Sequence, residues 1–140
     1  MAAEKRKPEL LAIILCDQVI KDLHTQKVTI VGSFSRIFAR KFPAMHNHCA
    51  IYVALTDGQG TYEGEFRFVF AETDETVFAA KGEFKLDDPL QVAELNFTIA
   101  ALPLPRPGTY RIEFYADGER LGGRRFVAEP AQKEVGRAGD

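Results

Sequence analysis

His46, His48 and Cys49 bring borderline and soft ligand atoms close together in this sequence, and His24 and Cys16 are able to join them from a neighbouring strand. Zinc accepts such donors. The spacing argues against it, because on a strand His46 and His48 share a face while Cys49 points the other way, and no CxxC or HxxxH element accompanies them. Surface histidines beside a buried cysteine are expected, with no metal and no cofactor. Asp17 and Asp22, with Asp87 and Asp88 elsewhere, are the candidates for paired acid and base work. No nucleophile or substrate-positioning group is marked beside them, so they read as turn and strand-end carboxylates. Asp17, inside an apolar run, would want a cation such as Arg if buried. The glycines of Asp57–Gly60 and the pair Gly122–Gly123 lack the strand–loop–helix setting that aims backbone N–H groups at phosphate, and are read as turn glycines. Arg120, Arg124 and Arg125 form a local basic patch with Lys5–Lys7 a candidate neighbour. A sheet edge protected by charge explains that patch as well as an anionic partner does.

The most suggestive stretch lies between Phe34 and Tyr52. If Pro43–Met45 is a three-residue hairpin loop, Phe42 faces His46, Arg40 faces His48, Phe38 faces Ala50 and Arg36 faces Tyr52, all on one face. Ile37, Ile51, Val53 and Leu55 then occupy the other. Arg36, Phe38, Arg40, His46, His48 and Tyr52 would form an outward contact surface of the residue types enriched at protein interfaces. The competing reading makes the phenylalanines core and the register different.

These residues must be positioned by strands. The cleanest is Thr109–Ala116, where Tyr110, Ile112, Phe114 and Ala116 alternate with Thr109, Arg111, Glu113 and Tyr115, the period of a half-buried strand. Pro103, Pro105 and Pro107 before it stiffen Leu102–Pro107 into a surface connection, and Asp117–Gly118 after it reads as a hairpin turn. Earlier in the chain, Leu11–Leu15 reads as a strand buried on both faces, with a helix as the alternative. Val28–Val31, Phe34–Phe42 and His46–Thr56 follow, with Gly32–Ser33 as a break or bulge. In Tyr62–Phe70, Tyr62, Gly64, Phe66, Phe68 and Phe70 alternate with Glu63, Glu65, Arg67 and Val69, an amphipathic strand. Val77–Leu86, Leu95–Ile99 and Arg120–Val127 complete the set, and Glu129–Asp140 lacks any apolar pattern and is expected to be a disordered tail.

Composition sets the class. With 140 residues the chain fits one domain able to bury a core without staples. Its 11 Phe, 4 Tyr and many β-branched residues suit pleated surfaces. The 2 Cys sit in apolar runs, so reduced, buried thiols are expected rather than a disulfide framework. A net charge of −2 argues against a general nucleic-acid or membrane-surface binder. Lys5–Lys7 followed by Leu10–Cys16 imitates a secretory signal, but Glu9 interrupts it, the apolar run is short, and Leu15 stands where processing wants a small residue. A solvated arm before a first core strand is expected instead. No run approaches the length of a membrane span.

Leu102–Ile112 resembles the tyrosine corner of immunoglobulin-like domains, in which a Tyr near the start of the penultimate strand bonds back to upstream backbone. Leu102, Gly108 and Tyr110 match. Arg106 stands where an Asp is often found and Ile112 replaces the second Cys, departures that remove the antibody-type disulfide but not the architecture. The segments LCDQVIKDLHTQKVTIVGSF, FPAMHNHCAIYVALTDGQGTY and LPLPRPGTYRIEFYADGERLG together resemble an uncharacterised family of small bacterial proteins known only as a domain of unknown function, over Leu11–Val127. That resemblance implies a bacterial cytoplasmic protein and no activity.

The expectation is therefore an all-β, immunoglobulin-like antiparallel β-sandwich of about seven to nine strands. Residues 1–8 are a polar arm, 9–128 the domain and 129–140 the tail. The expected function is that of a non-enzymatic interaction module binding a protein partner or a second copy through the Arg/aromatic face. A small-ligand or carbohydrate binder, and a weakly marked hydrolase, are the alternatives, which would show a pocket with convergent polar groups or a perturbed titratable pair.

Overall fold

Alternation of apolar and polar residues gives nine strands and no helix in the computed structural model of the chain, which describes residues 5–131. They are β1 (Glu9–Lys21), β2 (Val28–Ser33), β3 (Arg36–Ala39), β4 (Ala44–Thr56), β5 (Gly60–Phe70), β6 (Glu75–Leu86), β7 (Ala93–Leu104), β8 (Gly108–Ala116) and β9 (Glu119–Pro130). One sheet has the order β2-β1-β4-β7 and the other β3-β9-β8-β5-β6. Among the described residues no helix is long and apolar enough to cross a membrane.

The core lies between the sheets and follows the inward parity of the strands. Ile13, Leu15, Ile51, Val53 and Leu55 from the first sheet meet Phe66, Phe68, Phe70, Tyr110, Ile112, Phe114 and Phe126 from the second, all buried. The rings contact one another, with Tyr110 stacked on Phe126 at 5.2 Å and Phe66 edge-on to Phe97 at 4.9 Å. Such aromatic pairs add to the area they bury. The Tyr110 hydroxyl keeps its polarity satisfied by donating to the Arg106 carbonyl at 2.6 Å and accepting from the Arg106 N–H at 3.2 Å. Asp117 and Gly118 both take positive φ, 49° and 82°, in the two-residue turn to β9, the conformation that a tight hairpin demands.

The structure departs from the expected arrangement in five places. β3 does not form a hairpin with β4. It pairs in parallel with β9, Arg36 against Val127 and Phe38 against Glu129, so the fold is not wholly antiparallel. Residues 40–43 carry the chain across to the other sheet, where β4 pairs with β1 and β7. A parallel partner requires such a crossover, and nothing in the local pattern announces it.

Second, the facing of β4 reverses midway. His48 has φ of 58°, and around it the inward set changes from Ala44 and His46 to Cys49, Ile51, Val53 and Leu55. β7 reverses opposite it, from Ile99 and earlier odd positions to Leu102 and Leu104, so the register is unbroken.

Third, β7 runs on through the expected connection, with Pro103 paired to Met45. β7 is an edge strand, where a missing N–H is tolerated.

Fourth, Glu129 and Pro130 are not tail but the end of β9, and Ala131 still donates its N–H to the Ala39 carbonyl at 2.8 Å; residues 132–140 of the expected tail lie outside the described residues. Fifth, Lys5–Pro8 is anchored, although Lys5, Arg6 and Lys7 stay exposed as expected. Lys5 pairs with Asp117 at 2.8 Å, Arg6 with Asp57 at 2.6 Å and Lys7 with Glu119 at 3.3 Å, while Pro8 is buried.

Candidate functional site

The outward residues of β5, β8 and β9 converge on one face of the five-stranded sheet. Strand parity that sends Tyr110, Ile112 and Phe114 inward sends Thr109, Arg111, Glu113 and Tyr115 outward. β5 and β9 lie on either side, with Arg67 opposite Glu113, Glu65 opposite Tyr115 and Arg125 opposite Arg111. Glu113 is the centre. Its carboxylate accepts from Arg111 Nε at 2.9 Å and from the Tyr115 hydroxyl at 2.8 Å, and Arg120 Nε lies 3.7 Å away. These groups cover it to 8% exposure. Burial alone would raise the Glu113 pKa, but the bonds from Arg111 and Tyr115 outweigh it and hold the carboxyl below its ordinary range.

Around that centre the side chains are fixed in place. The Arg67 guanidinium lies over the Tyr115 ring at 3.9 Å and donates to Glu65 at 3.0 Å. Arg111 Nη2 donates to Asp74 at 2.7 Å. Burial first, and then the bond to Glu113, pushes the Tyr115 phenol up. Gly123, opposite Glu113, carries no Cβ, which would stand 2.6 Å from the Ile112 carbonyl and 3.1 Å from Arg120 Nη2. The missing side chain lets Arg120 lie across the strand toward Glu113.

Beside this network the face continues onto β3. Arg36 pairs with Glu129, and Phe38 stands 59% exposed on the same side. A cleft of about 350 Å³ runs between β3, β9 and β8, lined by Ser35, Arg36, Thr109, Arg125, Phe126 and Val127. β9 is an interior strand, so protection of a sheet edge does not account for its arginines. Arg124 has a different task, donating to the Ile13 carbonyl at 2.8 Å where β1 has no partner in β2.

The six residues of the expected contact surface divide between the sheets. Arg36 and Phe38 lie on the face just described, and Arg40 is exposed in the crossing segment. His46 is not outward. It precedes the reversal at His48 and packs against Phe34 at 5.4 Å, its Nε2 buried with no hydrogen-bond partner. Burial lowers its pKa, with Asp17 pulling the other way. His48 is exposed, and Tyr52 lies on the outer side of the four-stranded sheet, bonded to Glu94. Burial, then that bond, pushes the Tyr52 phenol up to about 12.

The other candidate chemistries resolve into local structure. Cys16 and Cys49 are buried and unbridged. Cys16 Sγ contacts the Ala50 carbonyl at 3.6 Å, and burial pushes the Cys49 thiol up to about 11. Asp22 accepts from the His24 and Thr25 amides, both at 2.8 Å, and Asp88 from Leu90 at 2.8 Å, as turn carboxylates do. Asp17 is exposed at the end of the apolar run. Among the described residues no group of three or more His, Cys, Asp or Glu side chains is arranged to hold a metal. The Arg67–Glu113–Tyr115 network went unread in the sequence, although the alternating polar residues of Thr109–Tyr115 and Glu63–Arg67 were its signal; which strands lie side by side was not.

A model of a family of unknown function, DUF6941, matches residues 11–129. No curated protein matches the chain.

Proposed function

The chain belongs to the DUF6941 family, whose description carries no activity, and we propose that it is a non-enzymatic protein-interaction module. The contact surface in this reading is the outer face of the five-stranded sheet, from Arg67 and Tyr115 to Arg36 and Phe38. What carries it is the Arg67–Tyr115–Glu113–Arg111 network, a set of hot-spot residue types held by one another on a face that none of the described elements covers. Side chains already ordered lose less entropy on binding. A catalytic reading would need a reactive group aimed into a pocket, and here each titratable group of the network is engaged by a neighbour of opposite charge or by a hydrogen bond.

The sandwich itself is read as immunoglobulin-like. In support, Tyr110 opens the penultimate strand and bonds back to Arg106, and the sheets are filled by strands distant in sequence. The free, buried thiols support a reducing, cytoplasmic setting, in keeping with the bacterial origin inferred above. The partner is another protein or a second copy of the chain.

The test is capture of partners from native cell extract, together with light scattering of the purified protein. Tyr115→Ala should weaken association about tenfold or more while leaving the fold cooperative. Identical partner lists and identical mass for wild type and variant would remove the face from consideration.

A further inference from the structure

Arg111 and Arg125 stand directly opposite each other on adjacent antiparallel strands, an arrangement that costs stability unless the charges are balanced. Arg111 is balanced twice, by Glu113 at 2.9 Å and Asp74 at 2.7 Å. Arg36, across the cleft, has Glu129. Arg125 makes no ion pair or side-chain hydrogen bond with any of the described residues, nor do the hydroxyls of Ser35 and Thr109 that line the same cleft. Among the described residues one positive charge is therefore left over, beside two hydroxyls with no protein partner, in a cleft of about 350 Å³. Planar guanidinium groups take carboxylate and phosphate through paired N–H donors, and hydroxyls supply further donors to the same oxygens.

We infer that this cleft is an oxyanion subsite, in which Arg125 binds one carboxylate or phosphate group with Ser35 and Thr109 as additional donors. The group arrives on an acidic segment of the protein partner, so the inference rests on the interaction reading and gives that partner a chemistry. A single surplus charge fits a single anionic group. A polyanion such as nucleic acid would meet Glu129, Asp74, Glu65 and Glu113 on the same face. The exposed Phe38 beside Arg36 gives the segment an apolar contact next to its charged one.

The experiment is a titration of the full chain followed by NMR at constant ionic strength, reading the Arg125 side-chain N–H and the Ser35, Thr109 and Val127 amides. The probes are inorganic phosphate and two peptides of one sequence, carrying either a glutamate or a phosphoserine at the centre. Saturable shifts confined to those residues are expected, with Arg125→Gln weakening the tighter probe about tenfold or more and Arg125→Lys restoring part of the loss. The tighter peptide identifies the source as carboxylate or phosphate. Shifts that never saturate, or that are the same in Arg125→Gln, overturn the subsite. The two readings separate in partner capture. If Tyr115→Ala abolishes capture but Arg125→Gln does not, and no probe saturates, the subsite fails and the interaction face stands. If the probes saturate and neither variant alters capture, the oxyanion cleft stands and the interaction face fails.

Discussion

Arg67 and Tyr115 meet across the β5–β8 ladder with the guanidinium carbon 3.9 Å from the ring centroid, one step off the directly opposed pair Glu65 and Tyr115. Both side chains are half-buried, so the contact is shielded on one side and open on the other. A double-mutant cycle on Arg67→Ala and Tyr115→Ala, read by chemical denaturation, should give a coupling of about 0.5–1 kcal/mol. Additive effects would mean that the two side chains merely lie near each other.

Glu113 should make the domain acid-sensitive in a particular direction. Folding lowers its pKa, so in the acid range the unfolded chain holds more protons than the folded one. The stabilisation is complete above the unfolded value near ~4.3 and is lost as pH falls through the lower folded value. Denaturation midpoints of wild type and Glu113→Gln, followed from pH 7 to pH 3, should converge as the medium becomes acid. A gap that stays constant over that range would show that the carboxylate's charge is not what the arginines use.

Tyr110→Phe leaves the stacked ring and removes the hydroxyl that joins Arg106 N–H and carbonyl. The expected cost is about 1 kcal/mol, measured as a shift in denaturation midpoint at unchanged slope. An unchanged midpoint would mean that water replaces the hydroxyl without loss.

The thiols should be inert in the native state. Cys16 and Cys49 are both fully buried, and burial pushes Cys49 up to about 11 and Cys16 in the same direction, so little thiolate forms at neutral pH. A thiol-reactive dye should label slowly until denaturant is added and then find two groups per chain. Rapid native labelling, or loss of stability on adding reductant, would contradict this.

What the sequence made legible was whatever a period of two can encode. Tyr110, Ile112, Phe114 and Ala116 share one face in the sequence pattern and are buried, because one strand's parity needs no knowledge of its partner. The hairpin register behind the expected contact surface fails for two physical reasons. The partner of Arg36–Ala39 is the last described strand, some ninety residues on and beyond the reach of any local pattern, and a single residue in the left-handed region, His48, exchanges inside for outside along β4. The Arg and aromatic character expected of an outer face is present, but assembled from β5, β8 and β9, whose adjacency is a property of the whole sheet.

The parallel contact between β3 and β9 also bears on how the chain reaches its native state. Arg36–Ala39 is synthesised well before the backbone it must pair with, Val127–Pro130. Until then Ile37 has no ladder to hold it in the core, and Arg36–Ala39 have no strand to pair with. Ring closure over most of the chain's length is an entropic debt settled last. A chain that stops short of Val127 would leave Arg36–Ala39 without the backbone they pair with.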